Sequence, residues 1–117
     1  MNFPEPVKSF TEEDQEPEKN GLPDINYYNV KKAALVLRAL NHKLRQQIIK
    51  TISESKKLTV TELYVKLRLE QSVASQHLAI LRKTGIVSTQ REGKFIFYTI
   101  NSSRIEAINE FVTKLLG

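Results

Sequence analysis

The sequence predicts a mainly α fold with one small β-hairpin, an α+β architecture of five helices, on three observations. Apolar residues recur at three- and four-residue spacing from residue 27 to residue 83, and again after residue 101. The period switches to two over one short stretch only, in the runs IVSTQR and KFIFYTI. The chain has 117 residues, 40% of them hydrophobic, which suits one domain with one core.

The elements follow in order. Val30, Ala33, Ala34, Leu37 and Leu40 form an apolar stripe on a first helix that starts near residue 27 and ends near Asn41. Asn41 is read as the break and the cap of a second helix, whose buried face is Leu44, Ile48, Ile49 and Ile52, with His42 as part of that cap. The polar run SESKK closes it. Thr59 and Glu62 then form a capping box, with Leu58 and Leu63 spaced as a hydrophobic staple, so a short third helix runs from about 60 to 67. A fourth helix spans about 71 to 84 and is ended by Gly85. The two β runs make a hairpin turning through Glu92 and Gly93, and Asn101–Ser103 cap a last helix carrying Ile105, Ile108, Val112 and Leu115 on one side. Tyr27, Tyr28, Tyr64 and Tyr98 are read as packing residues, and His77 as a partly buried hydrogen-bonding residue. Two short helices joined by a tight turn and followed at once by a basic-tipped hairpin describe a winged helix-turn-helix.

Charge is divided along the chain. Residues 1–29 hold seven acids against Lys8 and Lys19, a net of −5, while residues 30–117 hold 16 Lys and Arg against 6 acids, a net of +10. All four prolines lie within residues 1–24, where no apolar period is sustained. Residues 1–26 are therefore read as an acidic, proline-containing flexible tail and 27–117 as the folded domain. The absence of cysteine excludes disulfides, thiolate metal sites and thiol nucleophiles. No signal-peptide pattern or membrane-length apolar run is present, which predicts a cytoplasmic protein without a membrane partner.

At 100° per residue, the fourth helix places Ala74, Leu78 and Leu81 together as its buried side. Gln71, Ser72, Ser75, Gln76, Ala79, Arg82 and Lys83 cover the other side. Gln and Ser hydrogen-bond to base edges in the major groove, and small residues let the helix backbone come close. Arg91 and Lys94 flank the hairpin tip, with Glu92 weakening the local charge. With the +10 body, these features predict double-stranded DNA as the partner.

Three segments carry a resemblance: ALNHKLRQQII (39–49), TVTELYVKLRLEQSVASQHLAILRKTGIV (59–87) and REGKFIFYTI (91–100). They resemble the ArsR/SmtB family of bacterial winged-helix transcriptional repressors, over residues 30–116. The resemblance implies a homodimer formed by the first and last helices and bound to an imperfect palindrome in promoter DNA. By this comparison Gln71, Ser72, Ser75 and Gln76 read bases, and Arg91 and Lys94 of the wing reach the minor groove or phosphates. Arg45, which matches a family arginine, joins Arg82 and Lys83 as weaker phosphate contacts. The chain departs from the family where many members bind metal. A Glu-Leu-Cys-Val-Cys pattern in the third helix reads Glu62-Leu63-Tyr64-Val65-Lys66 here, and the last-helix site falls on Ser102, Arg104 and Leu115. No metal, cofactor or thiol signal is therefore expected. The family's frequent Ser before the recognition helix is Glu70, which weakens that cap.

A different class of function, a winged-helix protein-interaction module using the acidic tail or the basic face, is compatible with the same charge pattern. Catalysis is not expected. The chain has no Gly-rich phosphate loop and no metal-spaced His/Asp cluster, and Ser72 and Ser75 face away from His77 on one helix.

Overall fold

The computed structural model describes residues 23–117; most of the acidic segment read as a tail lies outside them. The order is α1 (Tyr27–Leu40), α2 (Lys43–Ser55), β1 (Lys57–Leu58), α3 (Val60–Leu67), α4 (Gln71–Lys83), β2 (Val87–Glu92), β3 (Phe95–Ile100) and α5 (Ser102–Leu116). The five helices and the hairpin stand where the sequence puts them.

Each helix start has a local cause. The Asn26, Thr59 and Asn101 side chains accept the backbone N–H groups of Asn29, Glu62 and Arg104. At Thr59 the box is complete, because the Glu62 carboxylate accepts the Thr59 N–H at 3.1 Å. Leu58 and Leu63 on either side of it are both buried. The cap of α2 is His42, whose Nδ1 accepts from Arg45 N, and not Asn41. Asn41 closes α1, its N–H donating to Leu37 O, because a break of two residues needs one to end a helix and one to start the next.

Helices α3 and α4 end alike. Leu69 N donates to Tyr64 O and Arg68 N to Val65 O; in α4, Ile86 N donates to Leu81 O and Gly85 N to Arg82 O. Both are Schellman closures, with the left-handed residue being Arg68 (φ 54°) in one and Gly85 (φ 76°) in the other. A Cβ at Gly85 would also come to 3.3 Å from Arg104 Nε.

The sheet has three antiparallel strands in the order β1-β3-β2. Lys57 pairs with Thr99 and Leu58 with Tyr98, so the segment read as a polar turn contributes a short strand. Two residues cannot display a two-residue period, and their partner lies some forty positions away in the chain, so no local signal existed. The hairpin register pairs Glu92 with Phe95, which puts Gly93 and Lys94 in a two-residue turn rather than Glu92 and Gly93. Gly93 sits at φ 61°, as the first position of a type II′ turn requires.

The core is built from Ile48, Ile52, Leu58, Leu63, Ala74, Leu78, Leu81, Ile86 and Val87, with Ala39 from α1. The first helix departs from its expected stripe. Ala39 is its buried residue, while Val30 and Ala34 are exposed, as are Tyr27 (73%) and Tyr28 (61%). Tyr64 and Tyr98 do pack against the core. In α5, Ile105 and Ile108 pack against the core, but Phe111, Leu115 and Leu116 are open and no residue is fully buried.

One polar corner holds α4 in place. The Arg45 guanidinium on α2 donates from Nη1 to Ala39 O (3.1 Å) and from Nε to His77 Nδ1 of α4 (3.2 Å). The His42 and His77 rings lie 5.0 Å apart. Burial, then His42 and the Arg45 charge, lower the His77 pKa from 6.5, so the ring stays neutral and accepts.

Two outcomes are expected. Thr59→Ala removes half of the capping box and should cost about 1 kcal/mol of stability in urea unfolding at unchanged slope. For His77 the unfolded chain takes up its proton near pH 6.5 and the folded chain only below that, so stability is complete above about pH 6.5 and falls as pH drops toward the lowered folded value. Thermal melts between pH 7.5 and 5.5 should show this loss, and His77→Gln should flatten it.

Candidate nucleic-acid interface

Burying Ala74, Leu78 and Leu81 turns the opposite side of α4 outward, because residues three and four apart share a face. Gln71, Ser72, Ser75 and Gln76 are all exposed at its N-terminal end, and among the described residues their side chains make no hydrogen bond. Ala79, Arg82 and Lys83 continue the exposed face toward the C-terminus. The structure therefore brings together the four residues expected to read bases and leaves their donors and acceptors uncommitted. Glu70 is the N-cap and makes no side-chain capping bond, as its carboxylate in place of a hydroxyl suggested.

The sheet lies against this helix. Ser75, Ala79, Arg82 and Lys83 of α4 and Tyr98 of β3 line one open cavity of about 430 Å³, so helix and sheet share a concave surface. The hairpin projects from it. At the tip the Arg91 Nε donates to Gly93 O at 3.1 Å, which folds the guanidinium across the turn, and Lys94 Nζ lies 5.4 Å from the Phe95 ring centre.

Glu92 is the acid that the sequence set against these cations. Its carboxylate is held at 2.6 Å by Lys57 Nζ, which also lies 4.6 Å from the Phe97 ring centre. Lys57 is thus a wing-side cation that sequence reasoning missed. It reaches the hairpin only through the β1–β3 pairing, which no nearby residue announces. The pair neutralises Glu92 and leaves Arg91 and Lys94 as the net charge of the tip.

Arg45 sits apart from the recognition face, half-buried in the corner described above, with two of its guanidinium nitrogens already donating. Arg82 and Lys83 are exposed in the last turn of α4. At the positions where the family resemblance places metal ligands, Lys66 Nζ donates to Ser55 Oγ at 3.3 Å and Arg104 Nε donates to Thr84 O at 3.2 Å. Among the described residues no group of three or more His, Cys, Asp or Glu stands close enough to hold a metal ion.

Known proteins are similar to this chain in sequence and in fold. The sequence description of the bacterial regulatory protein, arsR family, matches residues 42–89. The transcriptional activator HlyU of Vibrio cholerae is 39% identical over 87 residues, covering 74% of this chain and 80% of HlyU. The transcriptional repressor PagR of Bacillus anthracis is 33% identical over 84 residues, covering 72% of this chain and 84% of PagR. Among solved structures, reduced HlyU from Vibrio cholerae superposes with a TM-score of 0.58 at 38% identity, over 76% of this chain and 93% of that one. The crystal structure of PagR superposes with a TM-score of 0.60 at 31% identity, over 74% of this chain and 99% of that one. A helix-turn-helix with an open hydrogen-bonding face, a basic hairpin beside it and these relatives make the chain a member of the arsR family, a DNA-binding transcriptional regulator and not an enzyme.

Proposed function

We propose that the protein acts in the cytoplasm as a homodimeric repressor that occludes a palindromic promoter site, with no metal or thiol signal. The observation that carries the DNA reading is the uncommitted row Gln71, Ser72, Ser75 and Gln76 on a helix whose other side is locked in the core. Amide and hydroxyl groups held in place in this way discriminate base edges. Arg91 and Lys94 on the wing, with Arg82, Lys83 and more weakly Arg45, supply the phosphate contacts that set affinity.

Two apolar faces support the dimer. Tyr27, Tyr28 and Val30 of α1, and Phe111, Leu115 (65%) and Leu116 (82%) of α5, are exposed in the single chain. Helix α5 packs on the core through Ile105 and Ile108 but has no fully buried side chain, and a second copy would cover its open apolar face. Two-fold pairing sets two recognition helices about 34 Å apart, one DNA turn. Among the relatives PagR is a repressor and HlyU an activator; repression is the reading because occlusion needs nothing beyond DNA binding. The absence of a thiol signal rests on a sequence with no cysteine.

The test is a fluorescence-anisotropy titration with DNA from upstream of the protein's own gene, against scrambled duplex, at two salt concentrations. Gln71→Ala and Gln76→Ala should each lower the specificity ratio by about 10-fold or more, with little change in the salt slope. Arg91→Ala and Lys94→Ala should weaken both duplexes alike and each make the log–log salt slope shallower by about 0.9. Unchanged discrimination in the glutamine variants would remove the base-reading assignment. In sedimentation, Leu115→Glu should convert a dimer to a monomer.

A further inference from the structure

We propose that the cavity between α1, α2 and the end of α4 is a binding site for a small organic anion, a carboxylate, sulfonate or phosphate ester carried on an apolar body. The cavity holds about 270 Å³, just below the ~300–1,000 Å³ range of drug-sized sites and so suited to a smaller ligand. Its apolar surface is Leu35, Ala39 and Ile80, and its charged residues are Arg38, Arg45 and Lys83.

Three cations around one small cavity repel each other, and an anion among them relieves that repulsion. Among the described residues no carboxylate does so. The ion pairs there, Lys57–Glu92 and Lys114–Glu110, lie elsewhere. The Thr84 hydroxyl at the cavity edge is turned inward, donating to α4 carbonyls. Among the described residues the cavity thus offers positive charge and an apolar wall and no acid.

The apolar wall separates this ligand from a DNA phosphate. A phosphodiester on a duplex brings no apolar group to cover Ile80, a large side chain left 37% exposed on α4. The cavity also stands away from the base-reading row. At 1.5 Å per residue, Lys83 lies roughly 16 Å along the axis from Ser72, at the opposite end of α4 from the base-reading row.

Occupancy would be felt by α4. Arg45 lines the cavity and also carries the only two side-chain bonds joining Ala39 O, α2 and His77 among the described residues. An anion that draws the guanidinium toward itself lengthens the bond to His77 and takes Arg45 and Lys83 from any phosphate. This second step rests on the proposed function; the binding step does not.

The experiment uses the full chain and 1-naphthalenesulfonate as probe, with 1-methylnaphthalene as its uncharged counterpart. Calorimetry should show one saturable site per chain for the sulfonate and none for the hydrocarbon. Binding should weaken at least 10-fold in Arg38→Gln/Lys83→Gln and be blocked in Ile80→Trp, but stay within 2-fold in Lys31→Gln/Lys50→Gln, which removes the same charge elsewhere. The His77 ring resonances should move on saturation in the proton NMR spectrum. No saturable site, or equal weakening in both double variants, would overturn the proposal, and binding that leaves His77 unmoved would overturn the link to α4. Lower affinity for upstream DNA at saturating probe supports that link. A protein that binds the sulfonate but no DNA refutes the proposed function and leaves the site standing.

Discussion

Everything the interface does depends on the burial of Ala74, Leu78 and Leu81. A thirteen-residue helix is marginal by itself in water, so α4 exists as a rigid object only because that side is locked into the core. Each fully buried leucine contributes on the order of 2–3 kcal/mol, against about 1 kcal/mol for a typical hydrogen bond. Packing therefore holds the helix down. The Arg45–His77 bond adds less energy but more direction, because it fixes how α4 stands against the corner where α1 meets α2. The outer face is free to carry Gln and Ser because none of it is needed for stability.

The same comparison of magnitudes decides what Lys57–Glu92 is for. Both side chains are more than two-fifths exposed, and surface pairs of this kind are worth about 0–1 kcal/mol. The pair contributes little to folding. Its consequence is electrostatic. It cancels the one acid beside Arg91 and Lys94, so the tip presents net positive charge where the sequence showed a compromise. A two-residue strand, negligible as structure, thereby alters the field of the wing.

What could be read from the sequence was what local chemistry dictates. The capping box at Thr59–Glu62, the left-handed end at Gly85 and the division of α4 into two faces all follow from residues within one or two turns of each other, and each stands as expected. The departures have the opposite character. Strand β1 needs β3; the hairpin turn moves by one residue because register is set across strands; and Lys57 matters only through a contact 35 positions away. Helix α1 shows a third kind. Its stripe was legible as apolar, but an apolar stripe does not say whether its own chain or another covers it, and Tyr27, Tyr28 and Val30 are open in the single chain.

Arg104 joins these levels. In the family resemblance its position on α5 belongs to a metal site, yet here its Nε donates to Thr84 O and its side chain packs over Gly85. Thr84 and Gly85 end α4, where unsatisfied carbonyls carry partial negative charge, so a guanidinium is favoured there for the reason a bound cation would be. The left-handed turn at Gly85 matters to this contact, since a Cβ there would crowd Arg104 at 3.3 Å. A side chain thus ties the apolar-faced α5 to the C-terminal end of the recognition helix, as Arg45 ties the α1–α2 corner to its middle. The Arg104–Thr84 bond thus joins α5 to α4 through the protein's own cation, at the helix end where a positive charge is favoured.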